Sequence, residues 1–148
     1  MTKKTKKAQV VVAAIDEASQ SFHILLLQTN QRRGQFWQNI TGKIEEEETF
    51  EEGGLREAIE ETGLKVESII DMRDLGLTYE FTDQHGRKVT EKCFLFVLEK
   101  KWDVVIDPKE HQAFKWVALS EISPESVKYS SNFETLDKAI KTLRHWGM

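Results

Sequence analysis

Cysteine and proline are almost missing from this chain of 148 residues, which holds one cysteine, Cys93, and two prolines, Pro108 and Pro124. A lone thiol closes no internal disulfide, so stability must come from a core, and a reducing compartment is the simplest setting. Glycine is sparse as well, with eight residues and no repeat, which excludes collagen-like and low-complexity architectures. No apolar run approaches the roughly 20 residues that a membrane span requires. Val10–Ile15, behind a lysine-rich start, is too short for the apolar part of a secretory leader and stops at Asp16. A cytoplasmic protein without membrane contact is the expectation. Positive charge is in the minority, 21 Lys+Arg against 25 Asp+Glu for a net charge of -4, and this argues against broad nucleic-acid binding through a basic surface.

What is present suits one globular domain. Hydrophobic residues make up 39% and charged residues 31%. A chain this long buries roughly two-thirds of its unfolded surface. The expected organisation is a single domain over 1–148, with residues 1–7 a flexible basic tail. Apolar runs predict strands at Val10–Ile15, Phe22–Gln28, Val66–Ile70, Leu75–Phe81, Val89–Leu98, Val104–Ile106 and Phe114–Val117, with a short extended piece over Phe36–Ile40. Asp83-Gln84-His85-Gly86 is a hairpin turn signal. Thr49-Phe50-Glu51-Glu52 has the form of a helix capping box, and Gly63 is the residue type that ends a helix in the left-handed conformation. Ser131-Asn132-Phe133-Glu134 repeats the capping pattern ahead of a stripe made by Phe133, Leu136, Ile140 and Leu143. A short helical turn is expected near Leu119–Ile122. Together these elements predict a mixed sheet between helices, an α/β fold.

The helix over 50–62 has two unlike faces. At about 100° per residue, Leu55, Ala58, Ile59 and Thr62 share the side expected to pack on a sheet. Glu57, Glu60 and Glu61 share the other side, with Gly53 and Gly54 one turn earlier. Three carboxylates at i, i+3 and i+4 repel unless a positive charge lies among them. Each glycine costs about 1 kcal/mol relative to alanine inside a helix, and from the helix alone this side reads equally as surface kept open for a bulky ligand or as a solvated acidic face.

Gly42, Glu48, Arg56-Glu57, Glu60-Glu61 and Gly63-Leu64 are spaced Gly-x5-Glu-x7-Arg-Glu-Ala-x-Glu-Glu-x-Gly-Leu. This pattern resembles the signature of the Nudix hydrolases, with Ala58 and Leu64 at its apolar positions and Thr41 where many members have a second glycine. The resemblance implies an α/β/α sandwich and Mg2+, with Mn2+ as a substitute, joining the acidic face to a polyphosphate. Carboxylate and phosphate oxygens suit Mg2+ chemically. By the same resemblance Glu60 and Glu61 are metal ligands, Glu57 is a ligand or the base, and a backbone carbonyl at Thr41 or Gly42 joins them. Glu48 and Arg56 then form a structural pair tying loop to helix.

Further similarity points to the dihydroneopterin triphosphate and dATP pyrophosphohydrolase branch. It is carried by Phe36-Trp37-Gln38-Asn39-Ile40-Thr41-Gly42, by Glu110-His111-Gln112-Ala113-Phe114-Lys115-Trp116 and by Tyr129-Ser130-Ser131-Asn132. Glu-His-x-Ala-x-x-Trp also occurs in diadenosine tetraphosphate hydrolases. The resemblance makes Glu110 a metal ligand or water-activating acid, whereas His111 reads better as a structural or surface residue. Lys43 is either a phosphate contact or a solvated lysine, Trp37 a ring platform or core, and Arg33 a phosphate contact from a polar loop. Tyr79 reads as a strand aromatic, and Trp116 is expected under the last helix. The implied partner is a small nucleoside or pterin triphosphate, cleaved to the monophosphate and pyrophosphate. Dinucleoside polyphosphate hydrolysis is the runner-up and a non-catalytic nucleotide-binding module a third reading. The oligomeric state stays open.

Overall fold

The structure is a computed structural model that describes residues 4–146. Seven strands form one sheet: β1 (Lys4–Asp16), β2 (Ser21–Thr29), β3 (Trp37–Gln38), β4 (Ile40–Lys43), β5 (Ile69–Thr82), β6 (Lys88–Leu98) and β7 (His111–Ala118). Two helices, α1 (Phe50–Thr62) and α2 (Ser130–Arg144), complete the layers. The strand order is β3-β2-β1-β6-β5, with β4 paired to β1 and β7 to β2. The sheet is mixed, because β1 and β6 run parallel while the other pairs are antiparallel.

Helices on both faces explain the continuous apolar runs. A strand covered on both sides must be apolar at every position, not at alternate ones. Val10, Val12, Leu25, Leu27, Phe94 and Phe96 point into the core beneath α1, with Ala58. Val11, Ala13, Ile24, Leu26, Leu95 and Val97 point into the core beneath α2, with Leu136, Ala139 and Ile140.

Several expectations need correction. The lysine-rich start is not a tail over residues 4–7, because β1 begins at Lys4 and pairs with β6 from Lys88 onward; residues 1–3 lie outside the described residues. The ammonium groups of Lys6 and Lys92 both stand over the Phe50 ring, at 5.7 Å and 4.9 Å, which gives these charged strand positions a packing partner. Val66–Ser68 is a 3-10 turn, and β5 begins only at Ile69. Val104–Ile106 is irregular chain rather than strand. Its Val105 N–H, with the indole N–H of Trp102, donates to the Thr62 carbonyl at the end of α1, satisfying a terminal helix acceptor. Helix α2 starts at Ser130 behind Tyr129, without a side-chain cap, so the box expected at Ser131–Glu134 does not form. Trp116 packs in the α1-side core, edge-on to Trp102 at 5.3 Å, not under the last helix. Tyr79 is a strand aromatic tied to α2, its hydroxyl donating to Glu134 at 3.0 Å, and burial pushes it to about 12.

Candidate active site

The acidic face of α1 is held by its two ends and by the strands beneath it. At the start, Glu52 N–H donates to Thr49 Oγ1 at 3.0 Å and Thr49 N–H donates to Glu52 Oε1 at 2.9 Å, closing the capping box. At the end, Gly63 takes φ 70 and returns its N–H to Ile59. Gly53 and Gly54 are buried rather than open. A Cβ on Gly54 would stand 3.1 Å from Val10 Cγ2 and 3.3 Å from Ala8 Cβ, and one on Gly53 would run into Ile44 Cδ1. The glycines therefore let the helix lie close on β1 and on the loop after β4. Ile59, expected to pack on the sheet, is partly exposed at 37%.

Arg56 organises the carboxylates. Its Nε donates to Glu48 Oε2 at 2.7 Å and its Nη2 to Glu48 Oε1 at 2.9 Å, a two-pronged pair. Nη2 also donates to the Lys43 carbonyl at 2.9 Å, which fastens β4 to the helix. The same guanidinium holds Glu48 down to about 2. The remaining nitrogen, Nη1, lies 3.1 Å from Glu57 Oε1 and 3.3 Å from Glu60 Oε2. Two acids thus share this nitrogen, and with Glu48 three share one cation. Burial raises the Glu57 carboxyl above the ordinary range, and Arg56 offsets only part of this. Glu57 lies directly over the α-carbon of Gly42, where a Cβ would meet Cγ and Cδ of Glu57. Glu60 is the most open of the three, with a side chain 56% exposed.

Glu61 turns inward. Its Oε2 lies 2.9 Å from Nδ1 of His111, and the other ring nitrogen of His111 lies 3.1 Å from Nε2 of Gln38. All three side chains are buried. The sequence reads His111 as a structural or surface residue, and plain alternation along β7 from Trp116 and Val117 would put it on the α2 side. A β-bulge opposite Gln28 and Thr29 resets the register there and turns His111 to the α1 side. No local sequence signal announces that bulge.

The other candidates stand apart from the three glutamates. Glu110 Oε2 pairs with Arg33 Nη1 at 2.9 Å, at the rim, one residue before His111. Its loop is fixed by Asn30, whose side-chain amide donates to the Pro108 and Lys109 carbonyls. A cleft of about 470 Å³ opens beside it, lined by Asn30, Gln31, Arg32 and Lys109. Thr41 and Lys43 pair with Gln9 and Lys7 of β1, so their side chains face the sheet surface opposite Glu57, and only their backbone borders the acids. Trp37 packs in the α2-side core with Lys115 Nζ 4.2 Å above its ring.

Among the described residues no three His, Cys, Asp or Glu side chains, the expected Glu57, Glu60 and Glu61 included, are gathered as a group that could hold a metal ion. Mg2+ does not ask for three, since it is commonly bound by one or two carboxylates together with water and phosphate oxygens. Glu57 and Glu60, already gathered on one guanidinium nitrogen, fit that requirement with hard oxygen donors.

Residues 5–138 match the NUDIX domain family. The chain is 31% identical over 131 residues to a dihydroneopterin triphosphate diphosphatase of Haemophilus influenzae, covering 82% of this chain and 80% of that protein. It is 32% identical over 133 residues to an octanoyltransferase of Myxococcus xanthus, where the match covers 88% of this chain but only 36% of the relative's length. The Ap4A hydrolase of C. elegans, in a binary complex, superposes with a TM-score of 0.80 over 96% of this chain and 99% of that one, at 23% identity. With the two-faced helix and its arginine-bound acids, these matches make the chain a member of the NUDIX domain family and a Nudix hydrolase.

Proposed function

We propose that this single domain is a cytoplasmic, Mg2+-dependent pyrophosphohydrolase that cleaves a nucleoside or pterin triphosphate to the monophosphate and pyrophosphate. The observation that carries the reading is the pair of carboxylates, Glu57 and Glu60, held on one nitrogen of Arg56 beside Gly42, with Glu61 behind them. Glu57, Glu60 and Glu61, with a carbonyl of Thr41 or Gly42, would hold the ion, and Mn2+ would substitute for it. When bound, a divalent ion supplies Lewis-acid charge at the phosphate and lowers the pKa of a coordinated water. The helix presents its acids from a rigid, doubly capped element, which removes the cost of gathering them during the reaction. Glu110, on a loop fastened by Asn30 and next in sequence to His111, would orient the attacking water or accept its proton. Arg33 holds that carboxylate in place until substrate phosphate competes for the guanidinium. Arg32 and Lys109, along the adjoining cleft, offer charge to the phosphate chain. Lys43 and Trp37 are the weakest of the proposed substrate contacts, because their side chains face away from the acids.

The related diphosphatase from Haemophilus influenzae supports a pterin triphosphate, and the fold shared with an Ap4A hydrolase places diadenosine tetraphosphate among the compounds to try. A turnover panel of dNTPs, dihydroneopterin triphosphate, diadenosine tetraphosphate and ADP-ribose, each with Mg2+ and with EDTA, tests the proposal. Pyrophosphate release from a triphosphate, abolished by EDTA, is expected. Turnover confined to diadenosine tetraphosphate or ADP-ribose, or turnover resistant to EDTA, would refute it.

A further inference from the structure

With Glu61 ionised and the His111 ring neutral, the buried row Gln38–His111–Glu61 has a single arrangement of protons. An ionised carboxylate only accepts hydrogen bonds, so His111 Nδ1, 2.9 Å from Glu61 Oε2, must carry a proton and donate it. A neutral ring then has a lone pair at Nε2. That lone pair faces the amide nitrogen of Gln38 at 3.1 Å, which donates to it. Gln38 thereby selects the tautomer that Glu61 needs. His111 is only 2% exposed and Gln38 only 4%, which leaves bulk water little access to replace either contact. Among the described residues nothing bonds Glu61 Oε1. One oxygen is therefore tied and the other is left without a partner among the described residues.

We propose that His111 is a positioning residue that aims the free oxygen of Glu61 toward the metal-binding face, and that Gln38 acts through His111 by fixing its tautomer. The proposal rests on the reading of Glu61 as a metal ligand. Three strands cooperate in it. Gln38 sits opposite Leu27 and His111 opposite Thr29, so β2 spaces the two residues on the α1 side, and the bulge in β7 brings the imidazole to that side. Groups that orient a metal ligand from behind in this way typically govern affinity by 10–100-fold when removed.

A histidine that merely filled a buried site would alter thermal stability with or without metal. A positioning histidine alters metal affinity in the folded protein. The experiment is calorimetric titration of the full chain with Mg2+ alone, no substrate present, accompanied by thermal melts. His111→Ala is expected to weaken Mg2+ binding by about 10–100-fold. His111→Asn, whose amide nitrogen lies close to the place of Nδ1, should stay within about threefold of wild type, since the donor survives. Gln38→Leu keeps volume but frees Nε2 to take the proton, and should weaken binding by about 3–10-fold. Wild-type protein that binds no Mg2+ refutes the metal site itself. Wild-type binding alongside an unchanged affinity in His111→Ala overturns the positioning role. If His111→Ala does not fold, the other two variants decide, and wild-type affinity in Gln38→Leu overturns the proposal.

Discussion

Gly42→Ala adds one methyl group at the point where β4 passes under Glu57. The new Cβ would overlap Cγ and Cδ of Glu57 and stand 2.6 Å from Oε2. Carbon atoms need about 3.5 Å, so the Glu57 side chain must retreat by about 1 Å or more. Gly42 does not hold a positive φ, so alanine is tolerated by the backbone. The obstacle is a side chain, not a strand or helix backbone, so the fold can absorb the change. A misplacement of about 1 Å at a reacting group costs roughly 100-fold in rate, or about 2.7 kcal/mol. We expect kcat to fall about 100-fold while Tm moves by less than about 4 °C, the shift that about 1 kcal/mol produces in a domain this size. Gly53→Ala is the control. Its methyl meets Ile44 and Glu48 instead of Glu57. Overpacking costs about 1–3 kcal/mol, offset by about 1 kcal/mol of helix propensity. Its Tm should drop by a few degrees while kcat per folded molecule stays within about threefold of wild type. Pyrophosphate release at saturating Mg2+ and substrate, read beside thermal melts, decides the matter. A wild-type kcat in Gly42→Ala, or an equal loss in Gly53→Ala, would refute the reasoning.

Glu60→Gln removes a charge from an exposed side chain, so Tm should barely change while kcat falls by about 10²-fold or more; a near-normal rate would reduce the acidic face to solvated surface. Glu110→Gln should lower kcat by about 10²–10⁴-fold, the usual contribution of a general base, and Asp107→Asn, whose carboxylate only accepts the Lys109 N–H of its own loop, should be much milder. The reverse ranking would relocate the second acid to Asp107. Glu91 is buried against Gln9, and burial raises its pKa above 4.5. A raised carboxyl contributes stability in full at low pH and loses it as pH climbs through the folded value. Glu91→Gln should therefore gain Tm relative to wild type as pH rises from 4.5, and a difference that is flat with pH would show that Glu91 is not buried as a neutral acid.

The architecture was legible where local chemistry and global packing agree. Val10–Ala14 and Phe94–Leu98 are apolar without alternation because helices cover both faces, and the ends of α1 carry their own capping residues. The spacing from Gly42 to Leu64 located the acids, and the Arg56–Glu48 tie expected there is present. What escaped depends on distant partners. The bulge in β7 sets the facing of His111, and its cause lies in the pairing with β2 rather than in the letters around residue 111. Gly53 and Gly54 suggest an open surface only while their neighbours Ile44, Val10 and Ala8 are unknown. Lys43 follows Gly42 in sequence, yet pleating sends the two to opposite faces. Lysines at 4, 6 and 7 look like a solvated tail until β6 supplies an edge for them.

The parallel pairing of β1 with β6 has a consequence for how the molecule is made. Lys4 meets Lys88 and Ala14 meets Leu98, so every rung of that ladder joins residues far apart in the chain. Closing so large a loop must precede any reward from the contact, which slows folding relative to domains built from local contacts. A nascent chain that has emerged as far as Leu64 already contains the whole acidic helix and both of its caps. It still lacks Phe94, Phe96 and Leu98, the part that β6 adds to the core beneath that helix. The helix can therefore complete its packing only when β6 slots in beside β1, and until then the β1 edge that β6 covers is a surface for chaperones to shield.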